Sequence, residues 1–133
     1  MKKADQKALG TMLRVDKGPV IPPPMVKGIL KVITDAVSKW PRIITTTHWD
    51  PFNPTVVDGV DFYYGEEELG HIHLDGSAHI ATSPNLGKEL IAQGLAKPFR
   101  YTQGWIEEDV HHIGAEAAIE LFLSNYKRLL GEK

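Results

Sequence analysis

Three of the six histidines stand close together in the stretch Glu-Leu-Gly-His-Ile-His-Leu-Asp-Gly-Ser-Ala-His-Ile, residues 68–80. They are His71, His73 and His79. Imidazole nitrogens bind transition metals and exchange protons near neutral pH, so the stretch could support either chemistry. Histidines two residues apart on a strand point to the same face and can chelate one ion. His71 and His73 are therefore the candidate metal ligands, with a divalent metal as the cofactor they would take.

The turn that follows His73 decides the place of His79. Asp75-Gly76 favours a two-residue type I′ turn, which pairs Ile72 with His79 and directs His79 to the face opposite the other two histidines. A three-residue loop of residues 75–77 would gather all three, but it favours glycine at its third position, where Ser77 stands. The sequence thus predicts a same-face pair with His79 apart from it.

A metal site would need further ligands, because protein sites use three or four. No glutamate follows His73 at four or five residues, so a nearby carboxylate would have to complete the shell through the tertiary fold. In this alternative His71 and His73 hold a divalent ion, and Glu68 is the base of a metal-dependent enzyme. The competing interpretation expects no cofactor and no catalysis, with His71 and His73 lining a polar sheet face.

Composition narrows the classes of partner. The formal net charge is −2 and the lysines and arginines are scattered, so a nucleic acid is not an expected partner. The absence of cysteine excludes disulfides, thiolate zinc sites and cysteine nucleophiles. No signal-peptide pattern and no apolar run of about 18 residues occurs, so we expect a cytoplasmic protein that does not contact membranes. A small molecule or another protein remains as partner.

The elements that must position these histidines follow from apolar spacing and turn residues. Apolar residues three and four apart predict a first helix over 26–40, ended by Pro41, and a last helix from Ala115. Ser83-Pro84 predicts the start of a helix that ends near Gly94. Strands are predicted at 42–47, 60–64, both arms of the 68–80 hairpin, 98–102 and 105–110, with a loop at 48–54.

The predicted order is α-β-β-β-β-α-β-β-α. Short connections imply an antiparallel sheet with helices packed against it, which is the α+β class. Residues 1–23 are predicted to form a partly extended N-terminal arm, Pro-rich at its end, because consecutive prolines remove backbone donors and exclude a continuous helix. Residues 24–133 are predicted to form a single compact α+β domain.

The chain resembles a small bacterial and fungal domain family known as the luciferase domain, over about residues 25–130. The matching residues are Trp40-Pro41, His48, Gly59-Val60, Phe62, Glu68-Leu69-Gly70-His71-Ile72-His73, Pro84, Gly94, Ala96, Gly104-Trp105 and Leu123-Ser124-Asn125-Tyr126. Its layout is also similar, more distantly, to MmcQ/YjbR-like domains. Both resemblances imply an antiparallel sheet with packed helices, and neither supplies a reaction to transfer.

The leading functional hypothesis is a non-catalytic module that binds a ligand or a partner. Its functional surface is expected at His48, Glu68, His71, His73 and Trp105, because these side chains form a polar and aromatic set without a complete catalytic constellation. The metal-dependent enzyme remains the alternative. The sequence names neither the ligand nor the oligomeric state.

Overall fold

Strands and helices follow one another in the predicted order. The computed structural model describes residues 18–132. Its elements are α1 Gly28–Ser38, β1 Ile43–Asp50, β2 Asn53–Tyr64, β3 Glu67–His73, β4 Ser77–Ile80, α2 Pro84–Ala92, β5 Lys97–Pro98, β6 Ile106–Asp109, α3 Val110–Ile113 and α4 Ala115–Glu132. The predicted α+β class and element order are confirmed, with the single turn α3 as an addition.

The strands form one antiparallel sheet in the order β1-β2-β3-β4-β6-β5. Four consecutive strands are neighbours because short turns join them. The longer connection through α2 brings β6 beside β4, so the first and second halves of the chain meet along that pair.

Local sequence signals account for the ends of α2. The hydroxyl of Ser83 accepts the Leu86 N–H at 3.1 Å, and Pro84 occupies the first turn, where its missing donor costs nothing. Gly94 has a φ of +74°, the left-handed conformation that favours glycine just after a helix.

Two predicted boundaries were wrong. The expected loop at 48–54 is a tight turn between long strands, because β1 extends to Asp50 and β2 begins at Asn53. An Asp50 carboxylate oxygen accepts the N–H groups of Phe52 and Asn53, at 2.8 and 3.2 Å, and closes this turn. The expected strand 98–102 shrinks to Lys97–Pro98, because the chain turns back so that the Trp105 N–H donates to the Thr102 carbonyl at 3.2 Å.

The hydrophobic core lies on one face of the sheet, beneath the helices. Val60, Phe62, Ile72 and Ile80 point to this face and are almost fully buried. The Phe62 ring meets the Phe122 ring of α4 edge-on, with centroids 5.3 Å apart. Covering this face with helices leaves the opposite face for polar side chains.

A buried amide fastens α4 to the central strands. Asn125 is fully buried, and its Nδ2 donates to the carbonyls of Leu69 at 3.0 Å and Ala81 at 3.1 Å. Arg128 donates to the Asn125 oxygen at 2.9 Å. These bonds satisfy polar groups that would destabilise the fold if they were buried without partners.

The segment before α1 lies against the edge strand β1. The Thr47 N–H donates to the Ile21 carbonyl at 3.0 Å, and the Thr47 hydroxyl donates to the Pro22 carbonyl at 2.7 Å. The Trp49 indole N–H donates to the Pro19 carbonyl at 2.8 Å. Most of the predicted arm, residues 1–17, lies outside the described residues.

Within residues 18–132, none of the helices combines the length and apolar character that crossing a bilayer requires.

Candidate metal centre

The hairpin of β3 and β4 places all three of its histidines on one face. His71 pairs with His79 and Ile72 with Ala78, so the predicted register, with His79 on the other face, was wrong. The loop has three residues, Leu74–Gly76, and glycine stands at its third position. A three-residue loop with a left-handed third residue is a common hairpin connection, and Gly76 supplies that conformation with a φ of +98°.

Backbone hydrogen bonds fix this loop. The Gly76 N–H donates to the His73 carbonyl at 2.9 Å, and the Gly76 carbonyl accepts the Val110 N–H at 2.9 Å. The first bond closes the turn, and the second attaches it to the start of α3. One bond within the loop and one bond to α3 therefore hold the register that aligns the histidines.

The three imidazole rings converge through single nitrogens. His79 Nδ1 lies 3.1 Å from His71 Nε2 and 3.2 Å from His73 Nε2. The ring centroids of His71 and His73 lie 5.0 and 4.9 Å from that of His79. The cluster is buried or half-buried on the sheet face opposite the core.

A carboxylate engages the other nitrogen of each ring. Glu68 lies 2.7 Å from His71 Nδ1, Asp58 lies 2.6 Å from His73 Nδ1, and Glu107 lies 3.2 Å from His79 Nε2. Carboxylates accept and do not donate when ionised, so each of these ring nitrogens carries the proton. In the neutral form of each ring, the converging nitrogen is then a lone-pair donor.

Three strands supply these carboxylates. Glu107 stands directly opposite His79 in the β4–β6 register, and Asp58 precedes the β2 residue that pairs with His73. Glu68 reaches the same face through an irregularity in β3: Gly70 pairs with Phe62 and Glu68 with Tyr63, which leaves Leu69 without a partner in the ladder. Such a bulge changes the side to which the following side chain points.

A fourth histidine lies beside the cluster. His48, on β1, stacks on the His71 ring with centroids 4.1 Å apart, and its Nδ1 lies 2.7 Å from the fully buried carboxylate of Asp61. His48, His71 and His73 each offer a ligand atom within 4.8 Å of the others. Asp61, Glu68 and His71 satisfy the same criterion.

Burial keeps two of the rings neutral. It lowers the pKa of His71 despite the neighbouring Glu68 carboxylate, which acts in the opposite direction. Burial, followed by the charge of His71, lowers the pKa of His79 to about 4. Neutral imidazole is the form that binds metals, so these rings do not have to lose a proton near neutral pH before binding one.

Aromatic rings close one side of the cluster. Phe99 stacks on His79 with centroids 4.0 Å apart and planes 23° apart, and Trp105 lies 6.1 Å from His71. Phe99 and Trp105 also face each other at 6.2 Å. These rings shield that side of the imidazoles from solvent.

The five residues expected at the functional surface lie together. His48 stacks on His71, Trp105 lies near it, Glu68 is hydrogen-bonded to it, and the His73 ring lies edge-on to it at 5.0 Å. His111 and His112 are exposed on α3.

Sequence reasoning missed His79, its stacking partner Phe99 and the carboxylates of Asp58, Asp61 and Glu107. For His79 a signal existed, because Gly76 stands at the third position of a loop that begins at Leu74. No local pattern marks the others.

The comparison with protein families confirms the resemblance to the luciferase domain seen in the sequence. The model of the luciferase domain matches residues 66–124, which include His71, His73, His79 and Trp105. No curated protein and no solved structure matches the chain significantly.

Proposed function

We propose that this domain binds one divalent transition-metal ion through His71 Nε2, His73 Nε2 and His79 Nδ1. The observation that carries the proposal is the approach of His79 Nδ1 to both other nitrogens, at 3.1 and 3.2 Å. Imidazole ligands suit zinc as well as copper, iron and nickel; we take zinc as the test ion, with cobalt as its spectroscopic substitute.

The number of protons on the three imidazole rings supports a cation where their nitrogens converge. The protons of His71 Nδ1, His73 Nδ1 and His79 Nε2 are donated to carboxylates, and a neutral imidazole has only one. When all three rings are neutral, the two nitrogens that approach His79 Nδ1, and Nδ1 itself, therefore carry no hydrogen. A metal ion satisfies all three lone pairs at once, whereas a single proton satisfies at most one contact.

Two of the three separations between the proposed ligand nitrogens fit a tetrahedral metal site. Zinc–nitrogen bonds of about 2.0–2.1 Å at tetrahedral angles separate neighbouring ligand nitrogens by about 3.3 Å. The observed separations of 3.1 and 3.2 Å are close to this value. Carboxylates that accept the remaining ring N–H groups are the usual support for metal-binding histidines, because they fix the tautomer and raise ligand basicity.

The proposal keeps the metal alternative drawn from the sequence and changes its details. The third ligand is a histidine instead of a carboxylate. Glu68 supports the His71 ring instead of acting as a base, because its oxygen lies 2.7 Å from His71 Nδ1. Three protein ligands leave one position for water or a bound ligand, which is the arrangement of zinc sites that activate water.

Direct metal analysis tests the proposal. The protein is stripped with a chelator, dialysed and titrated with Zn²⁺, and bound metal is measured by mass spectrometry. We expect one zinc per chain, and with Co²⁺ the visible absorption of a tetrahedral nitrogen site. Substoichiometric metal at saturation would overturn the proposal.

A pair of single variants locates the ion. His79→Ala removes the shared ligand and should weaken zinc binding at least about 100-fold, since a structural metal–ligand contact contributes several kcal/mol. His112→Ala removes an exposed histidine and should bind zinc like the wild type. Equal affinities in the two variants would place the metal elsewhere, provided that circular dichroism shows both to be folded.

A further inference from the structure

A second concave site lies next to the histidine cluster. A cleft of about 460 Å³ opens between α2 and the segment of residues 98–105. Its size falls in the range of small-molecule sites, about 300–1,000 Å³. Phe99 and Trp105 line it and also contact His79 and His71, so the two sites share a wall of aromatic rings.

The walls of the cleft are fixed by backbone contacts. Phe99 N–H donates to the Trp105 carbonyl at 3.0 Å, and the Thr82 hydroxyl donates to the Gly104 carbonyl at 2.5 Å. Gly87 lets α2 approach this segment, because a Cβ at that position would lie 2.7 Å from the Gly104 carbonyl oxygen. A ligand would therefore enter a formed site and would not have to order it.

The chemistry of the lining indicates the class of ligand. Phe99, Trp105 and Ile91 offer apolar surface, while Lys88 on α2 and Arg100 on the facing segment add two cations. Among the described residues that line the cleft, none is an aspartate or glutamate. The cleft is thus a locally cationic site on a chain whose formal net charge is −2.

We propose that this cleft binds a small organic acid with a planar, apolar body. Aromatic rings stack on the body, and the guanidinium and ammonium groups pair with the carboxylate. This inference goes beyond the proposed metal function and does not rest on it, because each contact named comes from residues outside the metal ligands.

Calorimetric titration with 2-naphthoate and with its neutral analogue 2-naphthamide tests the proposal. We expect naphthoate to bind at least about tenfold more tightly, because only its carboxylate forms charge-assisted hydrogen bonds with the ammonium and guanidinium groups. The same preference should appear in metal-free and zinc-loaded protein, so a failure of zinc binding leaves this test intact. Absence of naphthoate binding, or equal binding of both probes, would overturn the proposal.

Variants with equal charge changes separate a built site from general attraction. Lys88→Gln with Arg100→Gln should abolish the preference for naphthoate. Lys27→Gln with Lys127→Gln, two exposed lysines outside the cleft, should retain it. Equal losses in both double variants would show that net charge alone attracts the probe, against the proposal.

Nuclear magnetic resonance supplies a readout of position. Naphthoate should shift the indole N–H signal of Trp105 and leave that of Trp49, which donates to the Pro19 carbonyl, unchanged. Shifts confined to Trp49 would place the probe outside the cleft and contradict the inference.

Discussion

Each of the three clustered imidazoles directs its N–H toward a carboxylate, and this is the distinguishing feature at the scale of single residues. Asp58, Glu68 and Glu107 take the N–H of one ring each, and so determine which nitrogen is free. Since these nitrogens meet at His79 Nδ1, the carboxylates would govern the proposed centre without having to touch a bound ion.

Removing one supporting charge should weaken the centre without removing a ligand. In Asp58→Asn the amide oxygen can still accept from His73 Nδ1, but the negative charge is lost. We expect zinc affinity to fall by about 10- to 100-fold, as replacement of such supporting partners typically does. Competition with a chromophoric chelator measures the change.

The control for this variant is Asp35→Asn, which removes a carboxylate from the surface of α1, where it pairs with Lys31 at 2.6 Å. Zinc affinity should not change there, because the pair is exposed and remote from the histidines. If Asp58→Asn also binds like the wild type, the carboxylate has no supporting role.

At the scale of elements, a loop of three residues determines which side chains share a face. A shift of one residue in a hairpin register moves the side chains of one strand to the other side of the sheet. The two-residue turn predicted from Asp75-Gly76 would separate His79 from His71, and the observed loop of Leu74–Gly76 pairs them. Gly76 was correctly predicted to be a turn residue. It is the third residue of the loop, however, and not the second residue of a two-residue turn.

Gly76→Ala tests whether this loop aligns the centre. The left-handed φ of +98° should cost a residue with a Cβ about 1–2 kcal/mol. The added Cβ would also lie 2.4 Å from His111 Cδ2, so the loop or that ring must move. We expect a lower free energy of unfolding in urea and weaker zinc binding.

Gly94→Ala is the matched control for strain. Gly94 also has a left-handed φ, +74°, but a Cβ there meets no atom within 4 Å, and the residue follows α2, away from the hairpin. The Gly94→Ala variant should have a free energy of unfolding lower by about 1–2 kcal/mol and an unchanged zinc affinity. Unchanged zinc affinity in Gly76→Ala would argue against a role of the loop in aligning the rings.

Across the whole molecule, the proposed centre connects strands that are distant in sequence. The ligands lie on β3 and β4, and their carboxylates come from β2, β3 and β6. An ion bound only by the folded state stabilises that state. The described fold already holds the hairpin through the loop bonds and the core, so a bound metal would add to its stability.

We therefore expect zinc to raise the melting temperature. Free zinc at 100 times its Kd should add about 2.7 kcal/mol to the free energy of unfolding. For a chain of this size that corresponds to a rise in Tm of roughly 10 °C. Differential scanning calorimetry of metal-free and zinc-loaded protein measures it.

The double variant His73→Ala with His79→Ala should melt at the same temperature with and without zinc. It retains the exposed His111 and His112, so it also reports binding at other surface histidines. A full zinc-dependent rise in this variant would contradict the proposed ligand set.

The amino-acid sequence by itself determined the class of fold, the order of elements and the common face of His71 and His73. Apolar spacing and turn residues are local signals, and they predicted α2 and α4 because capping and burial act within a few residues. The pair His71 and His73 follows from alternation along one strand.

Only the tertiary structure determined that His79 joins the other two histidines and which carboxylates support the three rings. His79 depends on which loop residue takes the left-handed conformation, and Glu68 depends on a bulge at Leu69. Asp58 and Glu107 come from other strands, and their positions follow from pairing between segments far apart in the chain. Local propensity carries no information about such pairing, because packing of the complete sheet selects the register.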